Sequence, residues 1–329
     1  MKIVSFGGFN ASGGSALRDI FKECKKINLF PAEFRIIRER HGLLDLDQTL
    51  FNNKALETRD LAVRDFMWLA KNLAKKGNKF SKNGFAYDFY TSGNFYKATV
   101  DFIESITLYS YKMDWHYYDF QKSYIVYMRD KILKRLLNFD TAQNAFAITN
   151  NINLFEEAVQ KYIKNILINF SCNRDSSILA LHNAIPPYGD SNTKRALEML
   201  PEARLIIIDR DPRDIFIDFP NDRYLPSNLS QLERAKFFVE IYKNFRKNNE
   251  FNSKNRKILS INFEDIVMNL SSTIGQVEDF LGVSIEYSPK EKIFNPDFSK
   301  KNIGRWRNLP DTYSSAIRHI EQKLKAFLN

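Results

Sequence analysis

The segment GGFNASGGSALRDIF, residues 7–21, follows a short apolar run and leads into a helix-like stretch. Gly8 to Ser15 fit the spacing G-x-x-x-x-G-K-[ST] of a phosphate-binding loop, except that Gly14 stands where the lysine belongs. Gly7, Gly8, Gly13 and Gly14 let the backbone turn tightly and bring its N–H groups close to an anion. Ser12 and Ser15 add hydroxyl donors, and the helix that follows adds its positive N-terminal end. The same residues also suit a tight strand-to-helix turn that binds nothing. The missing lysine argues against an ATPase or kinase, in which it reaches the β- and γ-phosphates.

A second segment, ARLIIIDRDPRDIFIDF, residues 203–219, puts Arg210 immediately beyond an apolar strand. An arginine at a strand's carboxyl end offers planar, two-pronged recognition of a phosphate. Asp214 in the next turn suits a helix start or an ion pair, and Arg213 a surface salt bridge. His182, in LALHNAIPPYGD, ends another strand. A histidine near its ordinary pKa accepts a hydroxyl proton at neutral pH, which makes it the candidate base. The alternative is a hydrogen-bonded histidine at a strand end. Glu33, ahead of FRII, is the runner-up base or an ordinary strand-end charge. His41 in a loop, His116 among aromatics and His319 on a C-terminal helix are weaker candidates. No cluster has metal-ligand spacing, so no metal is expected.

These residues need elements to hold them. Residues 2–6 predict a buried strand, and 15–26 a helix with Ala16, Leu17, Ile20 and Phe21 on one face. Residues 34–38 read as a second short strand. From Leu43 to about Cys172 the pattern is helical and aromatic, with apolar positions three and four apart over 55–76, 94–109, 122–137 and 156–170. Residues 77–93 read as a loop. Beyond Cys172, strands at 177–181, 204–208 and 257–262 alternate with helices at 193–200, 229–247 and 271–281, the last stopped by Gly282. The pattern predicts an α/β fold, a parallel sheet with helices on both faces. Residues 1–42 and 173–329 would form this core, with 43–172 a large helical insertion. A ligand then belongs at the carboxyl ends of the strands, where the glycine loop, His182 and Arg210 fall.

Composition narrows the classes. The 329 residues can bury a full core, and two cysteines, Cys24 and Cys172, point to a reducing compartment rather than a disulfide scaffold. No apolar run approaches the roughly 20 residues of a membrane span. A cytoplasmic location is expected. The net charge of +10 comes from lysines scattered over helices, as suits solvated faces or attraction of a small polyanion. No zinc spacing, ribonucleoprotein motif or basic-region helix suggests nucleic-acid binding.

Four segments, in order, resemble sulfotransferases that use 3′-phosphoadenosine-5′-phosphosulfate (PAPS). LIIIDRDPRDIFIDF is similar to their 3′-phosphate segment and INFEDIVMNLSSTIGQVEDFLGV to their YEDL…FLG stretch. FSKKNIGRWRN is similar to their C-terminal R-K-G-x-x-G-D-W-K loop, and ASGGSA sits where their P-K-S-G-T-T-W loop sits. The resemblance covers about residues 1–25 and 177–310. It implies a PAPS-dependent enzyme of the P-loop sulfotransferase fold, acting on a hydroxyl of a carbohydrate or other small acceptor bound by the helical middle. Gly8, Ser12, Gly13, Gly14 and Ser15 would form the cofactor loop, with the last four on the 5′-phosphosulfate. Arg210 would take the 3′-phosphate, Lys300 and Lys301 would close over it, and Gly304 would allow close approach. Asp218 stands where the family has its 3′-phosphate serine. Trp306 is either part of this loop or a core anchor, Arg307 replaces a lysine, and Ser299 an arginine. The loop lysine is Ala11 here, and Arg18, one helical turn on, is its candidate replacement or else a solvated arginine. His182 resembles the histidine of the family's K-T-H-L-P motif. Two other readings stay open: a transferase or kinase-like enzyme with another nucleotide donor, and a non-catalytic nucleotide- or glycan-binding relative.

Overall fold

The computed structural model describes residues 2–77, 84–113, 115–120, 122–137, 142–168, 170, 176–188, 191–219, 228–247, 255–289 and 293–328. Cys172, and residues 78–83 of the loop expected over 77–93, lie outside these residues. The chain divides into two compact units, Met1–Arg38 with Ser171–Asn329, and Glu39–Phe170. Among the described residues seven strands are formed: β1 (Lys2–Gly8), β2 (Ile27–Glu33), β3 (Thr107–Met113), β4 (Gln143–Ile148), β5 (Ile178–His182), β6 (Ala203–Asp209) and β7 (Ile258–Asn262).

In the first unit five of them make one sheet in the order β2-β5-β1-β6-β7, and every pairing is parallel. Alternate residues feed two cores. Val4, Phe6, Ile206 and Ile208 join one apolar cluster with helices Gly14–Lys22 and Leu270–Leu281. The opposite parity, Leu179, Leu181, Leu205 and Ile207, is at most 1 % exposed, so both faces are covered. Gly282 ends its helix at φ 64°, its N–H donating to the Glu278 and Asp279 carbonyls. Register aligns the carboxyl ends: Phe6 faces His182, Gly8 faces Ile208, Glu33 faces His182 and Asp209 faces Asn262.

The second strand is Ile27–Glu33, not 34–38, which forms turns. Its sequence INLFPAE hides it, because Pro31 is tolerated only where a strand is free of one ladder partner. At the sheet edge that condition holds, and the register shifts between Leu29 and Glu33. The apolar residues Phe34, Ile36 and Ile37 are buried all the same, from a turn.

The second unit packs helices Leu43–Asn52, Leu56–Ala74, Asn94–Ile106 and Ile152–Ile168. Their aromatic rings meet in its core, with Phe102 stacked on Tyr162 at 4.9 Å and Phe66 edge-on to Phe102 at 5.7 Å. This unit is not purely helical: β3 and β4 form an antiparallel two-stranded sheet. The helix expected to reach residue 109 stops at Ile106, where TLYSYKM changes from a 3.6-residue to a two-residue pattern. Residues 87–90, expected in a loop, form a helical turn.

Candidate active site

The glycine loop joins β1 to the Gly14–Lys22 helix at the sheet's carboxyl edge. Gly8 is needed for contact between chain segments, since a side chain there would strike the Ile208 carbonyl and Ser12 Oγ. Ser12 is accordingly buried against Gly8, at 2 % exposure, while Ser15 is exposed. Gly13 caps the helix at φ 99°, a conformation suited to glycine, and no side chain caps the helix. The first-turn N–H groups thus have no capping side chain to serve them. Phe9, within the loop, donates its N–H to the Tyr188 hydroxyl at 2.6 Å.

Arg210 lies where the sheet edge meets this loop and is 5 % exposed. Its Nη1 donates to the Ala11 carbonyl at 2.9 Å and to Asp218 Oδ2 at 2.8 Å, and its Nη2 to the Asn302 carbonyl at 2.6 Å. The guanidinium also lies 5.1 Å from the centre of the Phe263 ring. Its Nε is buried with no hydrogen-bond partner. Ala11, at φ 65°, turns its carbonyl to Arg210. The loop that lacks a lysine therefore meets a cation through its backbone. Asp218 is shared between Arg210 and Arg305.

These groups face a cleft of about 510 Å³ whose lining includes Gly13, Ser15, Arg210, Asp218, Phe298 and Arg305. Four residues expected in a cofactor site thus line one cleft. Lys300 and Lys301 do not: Lys300 pairs with Asp297 at 3.0 Å, and the Lys301 ammonium lies 5.8 Å from the centre of the Phe298 ring. Gly304, at φ 70°, donates its N–H to Asp214 Oδ2 at 2.6 Å. Asp214 also accepts from the Trp306 N–H at 3.3 Å. Burial raises the Asp214 pKa, against those two N–H groups and the Arg210 charge. Asp214 is thus the anchor of the C-terminal loop. Arg213 is buried between Asp211 and Glu321, with Trp306 stacked 3.8 Å from its guanidinium, so this pair is structural. A sequence reading that counts conventional loop cations passes over Arg305, whereas Asp214, expected at a helix start, lies in the first turn of Pro212–Asp218 and in addition holds the C-terminal loop.

His182 and Glu33 sit opposite each other at the ends of β5 and β2. The imidazole stacks on Phe6 with centroids 5.0 Å apart, and a side chain at Gly14 would start 3.2 Å from its Nε2. The first turn of the loop helix therefore borders the imidazole. Nδ1 is buried with no hydrogen-bond partner. Burial lowers the pKa to about 4, despite the Glu33 charge, and Arg18, Arg38 and Arg35 push the same way as burial. The expected ordinary pKa is therefore corrected; His182 is neutral well below pH 6. Glu33 accepts from Asn183 at 2.9 Å and Arg35 at 2.5 Å. Its pKa is lowered because burial is outweighed by Arg35, Asn183 and His182. Arg18 is half-buried and donates to the Pro31 carbonyl at 2.6 Å, so it is not a solvated helix-face arginine. In the second unit, His41 lies 3.5 Å from Asp65 and edge-on to Trp68.

The first unit is an α/β fold, a doubly covered parallel sheet with a glycine turn and a buried arginine at its carboxyl edge, the edge at which open α/β sheets generally bind ligands. The family model described as "Sulfotransferase family" matches residues 118–287, and the chain belongs to that family. Sulfotransfer is the activity this membership brings, and the protein is a transferase. The match begins inside the second unit and contains neither the glycine loop nor the C-terminal loop. No curated protein sequence matches. Among solved structures, the chain is similar to the sulfotransferase domain from the curacin biosynthetic pathway, with 14% identity, 100% of this chain and 98% of that one covered, and a TM-score of 0.43. A sulfotransferase from Alicyclobacillus acidocaldarius is similar at 11% identity, with 99% and 98% covered and a TM-score of 0.40. Retinol dehydratase, solved with androsterone and the inactive cofactor PAP, is similar at 14% identity, with 98% and 80% covered and a TM-score of 0.36. No helix among the described residues is long and apolar enough to cross a membrane.

Proposed function

We propose that the protein transfers a sulfuryl group from PAPS to a hydroxyl of a small-molecule or glycan acceptor in the cytoplasm. The observation that carries this reading is the cleft in which an uncapped helix N-terminus, Arg210 and Arg305 converge. These are donors suited to phosphate, and the Nε–H of Arg210 is unused. Phe263 and Phe298, also in its lining, offer apolar walls to an adenine ring. The residues present therefore fit the donor nucleotide. When bound, PAPS supplies a sulfuryl group activated by its phosphate.

Arg210 and Arg305 hold the 3′-phosphate, while the N–H groups of Gly13, Gly14 and Ser15 receive the 5′ end. Asp218 keeps the two arginines side by side. Lys300 and Lys301, on the surface beside the cleft, attract the polyanion from solvent. Charge developing during transfer is stabilised by donors already in place, so little reorganisation is needed. We assign the acceptor's proton to Nε2 of His182, against Gly14; the burial that lowers its pKa to about 4 keeps it neutral and makes it a weaker base than an ordinary imidazole. Glu33, already engaged by Arg35 and Asn183, fixes the polar surroundings of that imidazole. Residues 43–172 are assigned acceptor recognition.

The test is stabilisation against heat by 3′,5′-bisphosphoadenosine compared with AMP. The bisphosphate raises Tm more, and Arg305→Ala and Arg210→Ala each remove most of the difference, at about 1.5–3 kcal/mol of binding for a lost charge-assisted contact. Arg305 is 41 % exposed, against the buried Arg210, so its variant stays informative if loss of Arg210 loosens the loop. Equal stabilisation by the two nucleotides refutes the 3′-phosphate assignment.

A further inference from the structure

Helix Tyr124–Leu137, YIVYMRDKILKRLL, has no buried residue. Ile125 is 79 % exposed, Leu136 74 %, Leu137 69 % and Ile132 50 %. At about 100° per residue, Met128, Ile132, Ile125 and Leu136 fall within an arc of about 80°, and Leu133, Val126 and Leu137 widen it to about 180°. The opposite face carries Lys131, Lys134 and Arg135. Arg129 interrupts the apolar arc but pairs with Asp130 at 2.7 Å. Its long stem can lie along apolar surface while the head stays wet. The helix thus has four basic residues against one acid, and an apolar half in which Ile125, Ile132, Leu136 and Leu137 are exposed and Val126, Met128 and Leu133 half-buried.

At its N-terminal end, Phe120, Tyr124 and Tyr127 line a hollow of about 480 Å³ with Lys122 and Asp119. Lys122 is held there by Asp119 at 2.8 Å and Asp130 at 3.1 Å. Aromatic rings beside a cation suit the boundary between lipid headgroups and acyl chains.

We propose that this helix lies in the surface of an anionic membrane, with its apolar half among the acyl chains and its basic residues at the headgroups. Charge decides the occupant. A second copy of this chain would bring the same basic helix on a molecule of net charge +10, and like charges would oppose the contact. An anionic bilayer supplies both an apolar interior and negative headgroups, and basic residues near its surface each favour binding. The proposal is independent of the donor reading and places the second unit at a lipid–water interface.

The test uses the full chain and vesicles sedimented from solution. Vesicles with about one-quarter phosphatidylserine should carry the protein down, and pure phosphatidylcholine should not. Binding should fall at least about tenfold in the double variant Ile132→Glu, Leu136→Glu. It should fall likewise in Lys131→Glu, Lys134→Glu and in about 0.5 M salt, where exposed charges are screened. No member of the helix is buried, so all variants should keep the wild-type Tm. Failure of the wild type to bind anionic vesicles, or equal binding by the apolar double variant, overturns the proposal. So does self-association that the double variant abolishes while vesicle binding persists.

Discussion

Substituting His182 with asparagine should flatten the acid side of the stability profile. Burial among Phe6 and the loop helix holds the imidazole at a pKa of about 4, against about 6.5 when unfolded. The unfolded chain therefore takes up this proton first as pH falls. Stability is complete above about pH 6.5, declines through the interval to 4, and loses nothing more from this group below it. At pH 5 the two values give a loss of about 2 kcal/mol relative to pH 7.5. Urea unfolding at pH 7.5 and pH 5.0, at constant ionic strength, measures it directly. The variant can be less stable at both pH values because it loses the stack on Phe6. What matters is the difference between its two values, which should be smaller than the wild type's by about 2 kcal/mol. The carboxylates titrate in both proteins and largely cancel. Equal losses in wild type and variant would mean that the imidazole is solvated, and the reasoning from burial would fail.

Asp218→Asn should tighten 3′,5′-bisphosphoadenosine binding by about 1 kcal/mol, read by calorimetry, because a carboxylate that competes for Arg210 and Arg305 becomes neutral; weaker binding would show that orienting the arginines outweighs the competition. Gly14→Ala should lower kcat about tenfold with bisphosphate affinity unchanged, since the new methyl group presses on His182 Nε2 from 3.2 Å. A Gly14→Ala enzyme with wild-type kcat would separate the imidazole from the chemistry.

Much of the sheet was legible because central parallel strands are continuous apolar runs. RLIII had to be buried on both faces, and the structure makes it β6, between β1 and β7. Edge strands obey weaker rules: β2 carries Asn28 and Pro31, and its neighbour FRII, more apolar, turned out to be a buried turn. The β3–β4 sheet was hidden by length. Seven residues of two-residue alternation after a thirteen-residue helix read as more helix when apolar spacing is counted over a long window. At the site, chemistry carried by residue type was visible: Arg210, Gly13 and Ser15 share a cleft. Chemistry that depends on long-range contact was not. Nothing near Asp214 in the sequence says that it accepts N–H groups from Gly304 and Trp306, some 90 residues on. His182 shows the same limit, since the charges that act on its pKa come from Arg18 and from Glu33, Arg35 and Arg38, far away in the sequence.

The loop's missing lysine and the unexpected Asp218 are best understood together. A lysine at position 11 would bring one mobile cation to the cleft. Here the cation fixed beside the loop is Arg210, just beyond β6, held by Ala11, Asp218 and Asn302 and assigned to the other phosphate. Burying an arginine at 5 % exposure without a counter-charge would be costly. Asp218 supplies that counter-charge and also gathers Arg305, so two guanidinium groups stand against one carboxylate and one positive charge remains for a ligand. A serine in place of Asp218 would leave Arg210 without this acidic partner whenever the cleft held no anion. The carboxylate that reads as repulsive in the sequence is thus the counter-charge that makes the burial of Arg210 tolerable.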